Sequence, residues 1–421
     1  MLKTTYLFCV YIHLKQYNFA VGKMRNKSMQ LKKSIEVGEL LSLIPEDALS
    51  CIARDTRIDY CSKVLYGRSV FYLLLYSILF SERNSLRTME DIFNNKKFKL
   101  LFHLDLNKKV SHSSISERLS VINVDYFERL FNLFYDKLST LYTNEEILRQ
   151  HIIRVDSTMV SETCNKLKAG MVVGRKKDGK KQIKYSIAFD GLLPCDVKVF
   201  NTQQCLSEDL TLPEVVYKYS DKKRGKIFVF DRGVNKRITF EKMSIENIEF
   251  VSRLNPESRY KEVRMIEQGG GRRVGSLYLI SEQEIKLYKN GPRQLTDETY
   301  RLIKAGNESG EQYWFLTNVF DIETEVILLY YRKRWDIEVF FRFLKQELNF
   351  SHFFSTSENG IKVILYMTLI TSMLLLIYKR INKIGYKTAK RRFMMQLDDI
   401  IIEMAIQQYI RNINMQRQED G

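Results

Sequence analysis

The sequence predicts a mixed α/β protein with a helical N-terminal domain, and three observations carry that expectation. Residues 30–150 repeat apolar side chains at three- and four-residue spacing, the period of helices buried along one stripe. At about residue 150 short β-rich runs take over, and from residue 323 the helical period returns. Apolar residues fill 45% of the 421 positions, and 5 prolines and 19 glycines are too few for a linker or a low-complexity chain.

The elements follow in order. Residues 1–29 read as a non-native or disordered extension: 5–14 are apolar after Lys3, but His13 and Lys15 cut the run, and Met24 and Met29 precede a more ordinary start. Helices are expected over 37–55 and 124–142, the second with Tyr126, Leu130, Phe131, Phe134 and Leu138 on one stripe. Between them, Ser113 or Ser114 stands where it can cap a helix bearing Ile115, Leu119 and Ile122. Such a hydroxyl-rich first turn suits either a packing helix or one that enters a DNA groove. Strands are expected at 151–157, 183–189, 195–200, 226–231 and 248–254, with a helix at 207–219. Three hairpin-spaced strands, a helix and another strand are the order of a ribonuclease-H-like mixed sheet. The resulting division is a helical DNA-binding domain (30–150), a ribonuclease-H-like domain (151–254 and 319–382), a β-rich insertion (255–318) and a basic helical tail (383–421). Residues 363–378 carry no charge, but sixteen residues fall short of the about 20 that a membrane span wants, so they read as a buried core helix and no membrane partner is expected.

Charge narrows the function. Lys and Arg number 67 against 50 acids, a formal +17, which points to nucleic acid. The surplus is dense in residues 166–184, where Lys166, Lys168, Arg175, Lys176, Lys177, Lys180, Lys181 and Lys184 face one acid, Asp178. That loop is expected to grip DNA backbone. Six cysteines without a CxxC exclude a disulfide scaffold and a zinc finger and suit a reducing compartment. Five histidines without HxxH or HExxH spacing give zinc hydrolysis no support. Residues 269–271, a triple glycine before Arg272 and Arg273, lack a P-loop lysine and read as a hairpin tip. A carboxylate-pair glycosidase would want an acidic aromatic cleft, against this charge.

Three acids stand out. Asp156 and Asp231 each close an apolar run, at 152–156 and 227–231. Two carboxylates on neighbouring strands repel unless they share a cation, and Mg²⁺ is the hard, oxygen-seeking ion that suits them. Read singly, each would merely end a strand in a turn. The third, Glu338, lies on a helix with Tyr331, Arg334 and Lys345, at offsets 0, 3, 7 and 14. At about 100° per residue these four fall within a stripe roughly 60° wide. Arg334 and Glu338 could be an ordinary ion pair, but the flanks are apolar: Trp335, Ile337, Val339, Phe340, Phe341, Phe343 and Leu344.

The series Tyr331-x2-Arg334-x3-Glu338-x6-Lys345 resembles the YREK signature of the cut-and-paste DDE transposases of the insertion-sequence-four type. Asp156-Ser157-Thr158 and Asp231-Arg232-Gly233 resemble that family's first and second carboxylate motifs, and the long gap from Asp231 to Glu338 resembles its β-strand insertion. The resemblance spans about 150–380. It implies that Asp156, Asp231 and Glu338 hold two Mg²⁺ ions (Mn²⁺ substituting), with Asp156 shared between them, and that Tyr331, Arg334 and Lys345 touch phosphates. It implies cleavage through hairpin DNA ends and joining to target DNA, by a homodimer assembled on terminal inverted repeats, in the cytoplasm at the nucleoid. A flipped base would need an aromatic platform, for which Trp314 is the first candidate and Trp335 the second. The alternatives are a ribonuclease-H-like nuclease without strand transfer and a domesticated DNA-binding protein.

Overall fold

The structure, a computed structural model, describes residues 34–419 apart from 45, 81–84, 162–166, 168–169, 174–179, 224, 290–293 and 352–354. The extension expected over 1–29, and Arg175, Lys176 and Lys177, lie outside the described residues.

The N-terminal part is helical: α1 (Val37–Ser42), α2 (Glu46–Asp55), α3 (Gly67–Phe80), α4 (Leu86–Asn94), α5 (Lys96–Leu101), α6 (His112–Val121), α7 (Val124–Ser139) and α8 (Asn144–Arg149). The stripe expected on α7 is buried in full, Tyr126, Leu130, Phe131, Phe134 and Leu138 included. Helix α6 is capped by Ser111, whose hydroxyl accepts from the Ser114 N–H, and not by Ser113 or Ser114. The cap falls one residue before the helix because the chain is still extended at Ser111, and Ile115 and Leu119 are buried.

The strands are β1 (Ile152–Ser161), β2 (Met171–Val172), β3 (Lys181–Phe189) and β4 (Pro194–Phe200), then α9 (Glu208–Lys222), β5 (Ile227–Phe230), α10 (Arg237–Ile245) and β6 (Glu249–Leu254). Strands β3 and β4 are antiparallel to each other and β3 is antiparallel to β1, whereas β1–β5 and β5–β6 are parallel. The order β4-β3-β1-β5-β6 is a ribonuclease-H-like mixed sheet. A parallel neighbour needs a crossover, and α9 and α10 supply the two.

The β-rich insertion comprises β7 (Tyr260–Gln268), β8 (Arg273–Val274), β9 (Leu277–Leu287), β10 (Tyr300–Gly306) and β11 (Gln312–Thr317). It extends the core sheet: β11 pairs antiparallel with β6, and β10, β9 and β7 follow outward. Unpaired, the edge of β6 would leave a row of amides and carbonyls open; β11 fills it.

Helices α11 (Thr324–Arg332), α12 (Trp335–Glu347), α13 (Glu358–Ile381) and α14 (Tyr386–Glu419) complete the chain. Helix α13 is long and apolar enough to cross a membrane by length and composition, yet almost all of it is buried within the protein. It packs against α3, α6, α7 and α14 as well as β4, so it joins the helical layer to the sheet. One buried cluster runs from Ile35 through α7, β3 and α13 to Leu397.

Candidate active site

Alternation along the strands decides which side chains meet. Ile152, Arg154 and Asp156 share one face of β1, and Ile227, Val229 and Asp231 share the same face of β5 and its end. On that face Ile152, Ile227 and Val229 pack with Ile327 and Leu328 of α11. The parallel register pairs Arg154 with Val229, so two residues further along each chain Asp156 comes abreast of Asp231. Asp156 does not close its strand as the sequence suggests. Strand β1 runs on to Ser161 because β3 pairs with it up to Gln182, and Asp156 stands where only the β5 partner has run out.

The helix expected through 331–345 is two helices, α11 ending at Arg332 and α12 starting at Trp335. The amides of Arg334, Asp336 and Ile337 donate to the carbonyls of Tyr331, Lys333 and Arg334, a three-residue spacing. A tighter turn advances about 120° per residue instead of 100°, so a straight stripe through all four residues does not exist. Tyr331, Arg334 and Glu338 stay together across the junction. Lys345 is exposed in the last turn of α12, about 10 Å further along the helix axis.

Arg334 lies among the acids. Its Nη2 is 2.6 Å from Glu338 Oε1 and its Nη1 is 3.9 Å from Asp156 Oδ2. Its guanidinium carbon stands 5.7 Å from the centre of the Tyr331 ring. The Tyr331 hydroxyl donates to Asp231 Oδ1 at 2.8 Å, and its ring meets the edge of Phe315 on β11. Burial lowers the Arg334 charge preference, but Tyr331, Asp231 and Glu338 outweigh it and hold the guanidinium above its ordinary value. Its buried Nε meets no acceptor among the described residues.

The two aspartates differ. Burial pushes Asp156 up to about 6, with Glu208 and Glu338 adding to the rise and the Ser157 amide and Arg334 opposing it. Burial also pushes Asp231 upward, yet the Arg232 amide, the Tyr331 hydroxyl, Arg334 and Arg253 together carry it below the usual carboxylate range. Asp156 is thus a carboxylate short of positive neighbours. Among the described residues no three His, Cys, Asp or Glu side chains stand close enough together to hold an ion as placed. The oxygen donors suit a hard cation in kind, and the guanidinium of Arg334 stands between Glu338 and Asp156.

Sequence reasoning missed Glu208, Arg154 and Asp336. Glu208 heads α9; its Oε2 accepts from the Ser157 hydroxyl at 2.9 Å and its Oε1 is 3.0 Å from Lys184 Nζ. Lys184, counted by sequence with the DNA-gripping loop, is 2% exposed and also donates to the Leu206 carbonyl, so it serves the interior. It points inward because it sits mid-strand in β3, past the loop. Lys181 donates to the Leu167 carbonyl at 2.8 Å, and Lys180 is exposed. Trp314, on β11, has the Lys304 ammonium 4.5 Å from its ring centre and Tyr260 against its edge, so one face is already taken. Trp335 is 53% exposed at the start of α12. The signal for Glu208 was a pair of acids at a predicted helix start; that for Arg154 was a basic residue two before Asp156, hence on the same face.

The profile described as "Transposase DDE domain" matches residues 148–374, more than half of the chain. The "Probable transposase for insertion sequence element IS5377" of Geobacillus stearothermophilus is 26% identical over 272 residues, 63% of this chain and 66% of its own length. A relative from Sinorhizobium fredii, y4zB, also named as a transposase, is 27% identical over 164 residues, 38% of this chain and 44% of its own length. This chain therefore spans less than two thirds of either relative. A cryo-EM structure described as a piggyBac transposase synaptic complex with hairpin DNA superposes with a TM-score of 0.48 at 12% identity, over 90% of this chain and 83% of that one. The matched segment begins just before β1 and ends within α13, taking in Asp156, Asp231 and Glu338: the chain belongs to the transposase DDE-domain family.

Proposed function

We propose that this protein is a cut-and-paste transposase of the insertion-sequence-four type, acting on the terminal inverted repeats of its element and on target DNA. The observation that supports the reading is that Arg334 pairs with Glu338 and faces Asp156 while its neighbour Tyr331 donates to Asp231, so acids from three distant parts of the chain lie around one residue pair.

Asp156, Asp231 and Glu338 are the residues that would hold two Mg²⁺ ions, or Mn²⁺ in their place. The chemistry supplied there would be Lewis-acid activation of the attacking oxygen and stabilisation of the leaving one. The chain's own side chains do the rest. Tyr331 fixes the rotamer of Asp231 through its hydroxyl hydrogen bond. Arg334 exchanges its carboxylate partners for a DNA phosphate, to which its planar fork is suited, and its unsatisfied Nε gains an acceptor. Lys345, two turns along α12, meets a neighbouring phosphate as a point charge, and Lys180 and Lys181 flank the entry to β3. Arg175, Lys176 and Lys177, a few residues earlier in the sequence, would add their charges to the grip on DNA backbone. In the reaction water cleaves one strand and frees a 3′-hydroxyl. That hydroxyl attacks the opposite strand to give a hairpin end, a second water reopens it, and the 3′-hydroxyl then attacks target DNA. Paired ends call for a homodimer on DNA, and Trp314 or Trp335 would receive a flipped base.

The test is incubation with duplexes carrying the element's end and Mg²⁺, followed on denaturing gels. Nicked, hairpin and strand-transfer products are expected, and none from Asp231→Asn, which should still bind DNA. Cleavage without joining would favour a nuclease, and binding without cleavage a DNA-binding protein.

A further inference from the structure

We propose that Arg154 is a positioning residue: a buried guanidinium on β1 that bolts the α11–α12 junction to the sheet and so sets where Arg334 and Glu338 stand. The inference rests on the reading of Glu338 as a catalytic acid.

Arg154 is 4% exposed, and all its fork is engaged. Nη1 donates to the carbonyls of Ile152 and Asp190, both at 2.9 Å, which fixes the guanidinium against its own strand and the loop after β3. The other two nitrogens reach across to the junction. Nε donates to the Lys333 carbonyl at 3.2 Å and Nη2 to Asp336 Oδ2 at 3.0 Å. Arg334 therefore sits between two anchored residues, and Glu338 is two residues past the second.

The junction needs such a hold. It contains neither glycine nor proline to impose its shape, and α12 starts without a side-chain cap. A helix start so placed frays, whereas a catalytic carboxylate must be held within about 0.5 Å of its working position. The loop after β3 is shaped around the guanidinium. Gly191 has φ +102°, and a Cβ there would come within 2.7 Å of Arg154 Nη1. Lysine cannot stand in, because a single ammonium cannot span four acceptors laid out in a plane.

The same loop carries a link to the N-terminal helices. Asp190, whose carbonyl accepts from Arg154, takes hydrogen bonds on its carboxylate from the hydroxyls of Tyr135 at 2.9 Å and Tyr142 at 3.0 Å. The junction is thus tied through Arg154 to β1 and, one residue further, to the end of α7.

The test compares Arg154→Lys, Asp336→Ala and the unaltered chain, all full length. In Asp336→Ala the guanidinium of Arg154 keeps its hydrogen bonds to the carbonyls of Ile152, Asp190 and Lys333, so this variant folds if Arg154→Lys does not. Amide hydrogen exchange is measured without metal or DNA. Residues 333–338 should exchange at least about tenfold faster in the variants while β1 and β5 amides keep their rates. With DNA and Mg²⁺, kcat for end cleavage should fall about 10–100-fold at unchanged DNA affinity, the usual effect of removing a supporting residue. Unaltered exchange at 333–338 in folded Asp336→Ala overturns the inference. A wild-type protein that cleaves no DNA overturns the transposase reading alone, since the exchange rates still decide the role of Arg154.

Discussion

Asp156→Asn should make the metal-free protein more stable while abolishing cleavage. Asp156 is mostly buried, and its carboxylate is pushed from 3.8 to about 6, first by burial and then by Glu208 and Glu338. Each unit is worth about 1.36 kcal/mol, so keeping this group ionised at neutral pH costs the folded state roughly 3 kcal/mol. The sign follows from proton binding. Between the ordinary value and about 6 the folded chain holds a proton that the unfolded chain releases, so stability falls as pH rises across that window and the full penalty applies above it. Asparagine has the same outline, keeps an oxygen to accept from the Ser157 amide and carries no charge. Urea unfolding with a chelator present should show Asp156→Asn ahead by up to about 3 kcal/mol near pH 8 and level with the unaltered protein near pH 4. Equal or lower stability near pH 8, or a gain that does not shrink with acidity, would mean that the ionised Asp156 carries no such penalty.

Three further outcomes are expected. Glu208→Ala strands Lys184, which is 2% exposed, and should lower unfolding stability by about 3–5 kcal/mol, while Lys184→Met, leaving the 29%-exposed Glu208, should cost clearly less; urea titration separates them. Asp190→Ala orphans the hydroxyls of Tyr135 and Tyr142 and the amides of Leu192 and Leu193, and at about 1–3 kcal/mol for each unsatisfied donor it should destabilise by more than about 3 kcal/mol in the same assay. Lys345→Ala should weaken DNA binding about equally for all sequences and reduce the slope of log K against log salt by about one, measured by fluorescence anisotropy.

The readable parts of the sequence are those that rest on local spacing. The stripe on α7 follows from apolar periodicity, and Arg334, three residues after Tyr331 and four before Glu338, stands against both. Asp156 and Asp231 come abreast because two apolar runs form parallel neighbours in register. What escaped depends on partners far away in the chain. The hydrogen bond from Arg154 to Asp336 spans 182 residues and that from Ser157 to Glu208 spans 51. No window of sequence contains both ends. The length of β1 is set by β3, which carries the strand past Asp156. The break between α11 and α12 has no glycine or proline to announce it, and it coincides with the carbonyl that Arg154 holds. Lys184 looks like one more cation of a basic loop until its pairing with Glu208 places it in the interior.

Whether the three acids hold ions together is decided by binding of Mn²⁺, followed by its electron paramagnetic resonance signal in the presence of end-repeat DNA. Two ions per chain are expected for the unaltered protein, with loss of tight binding in each of Asp156→Asn, Asp231→Asn and Glu338→Gln. Unchanged Mn²⁺ binding in all three folded variants would contradict that expectation.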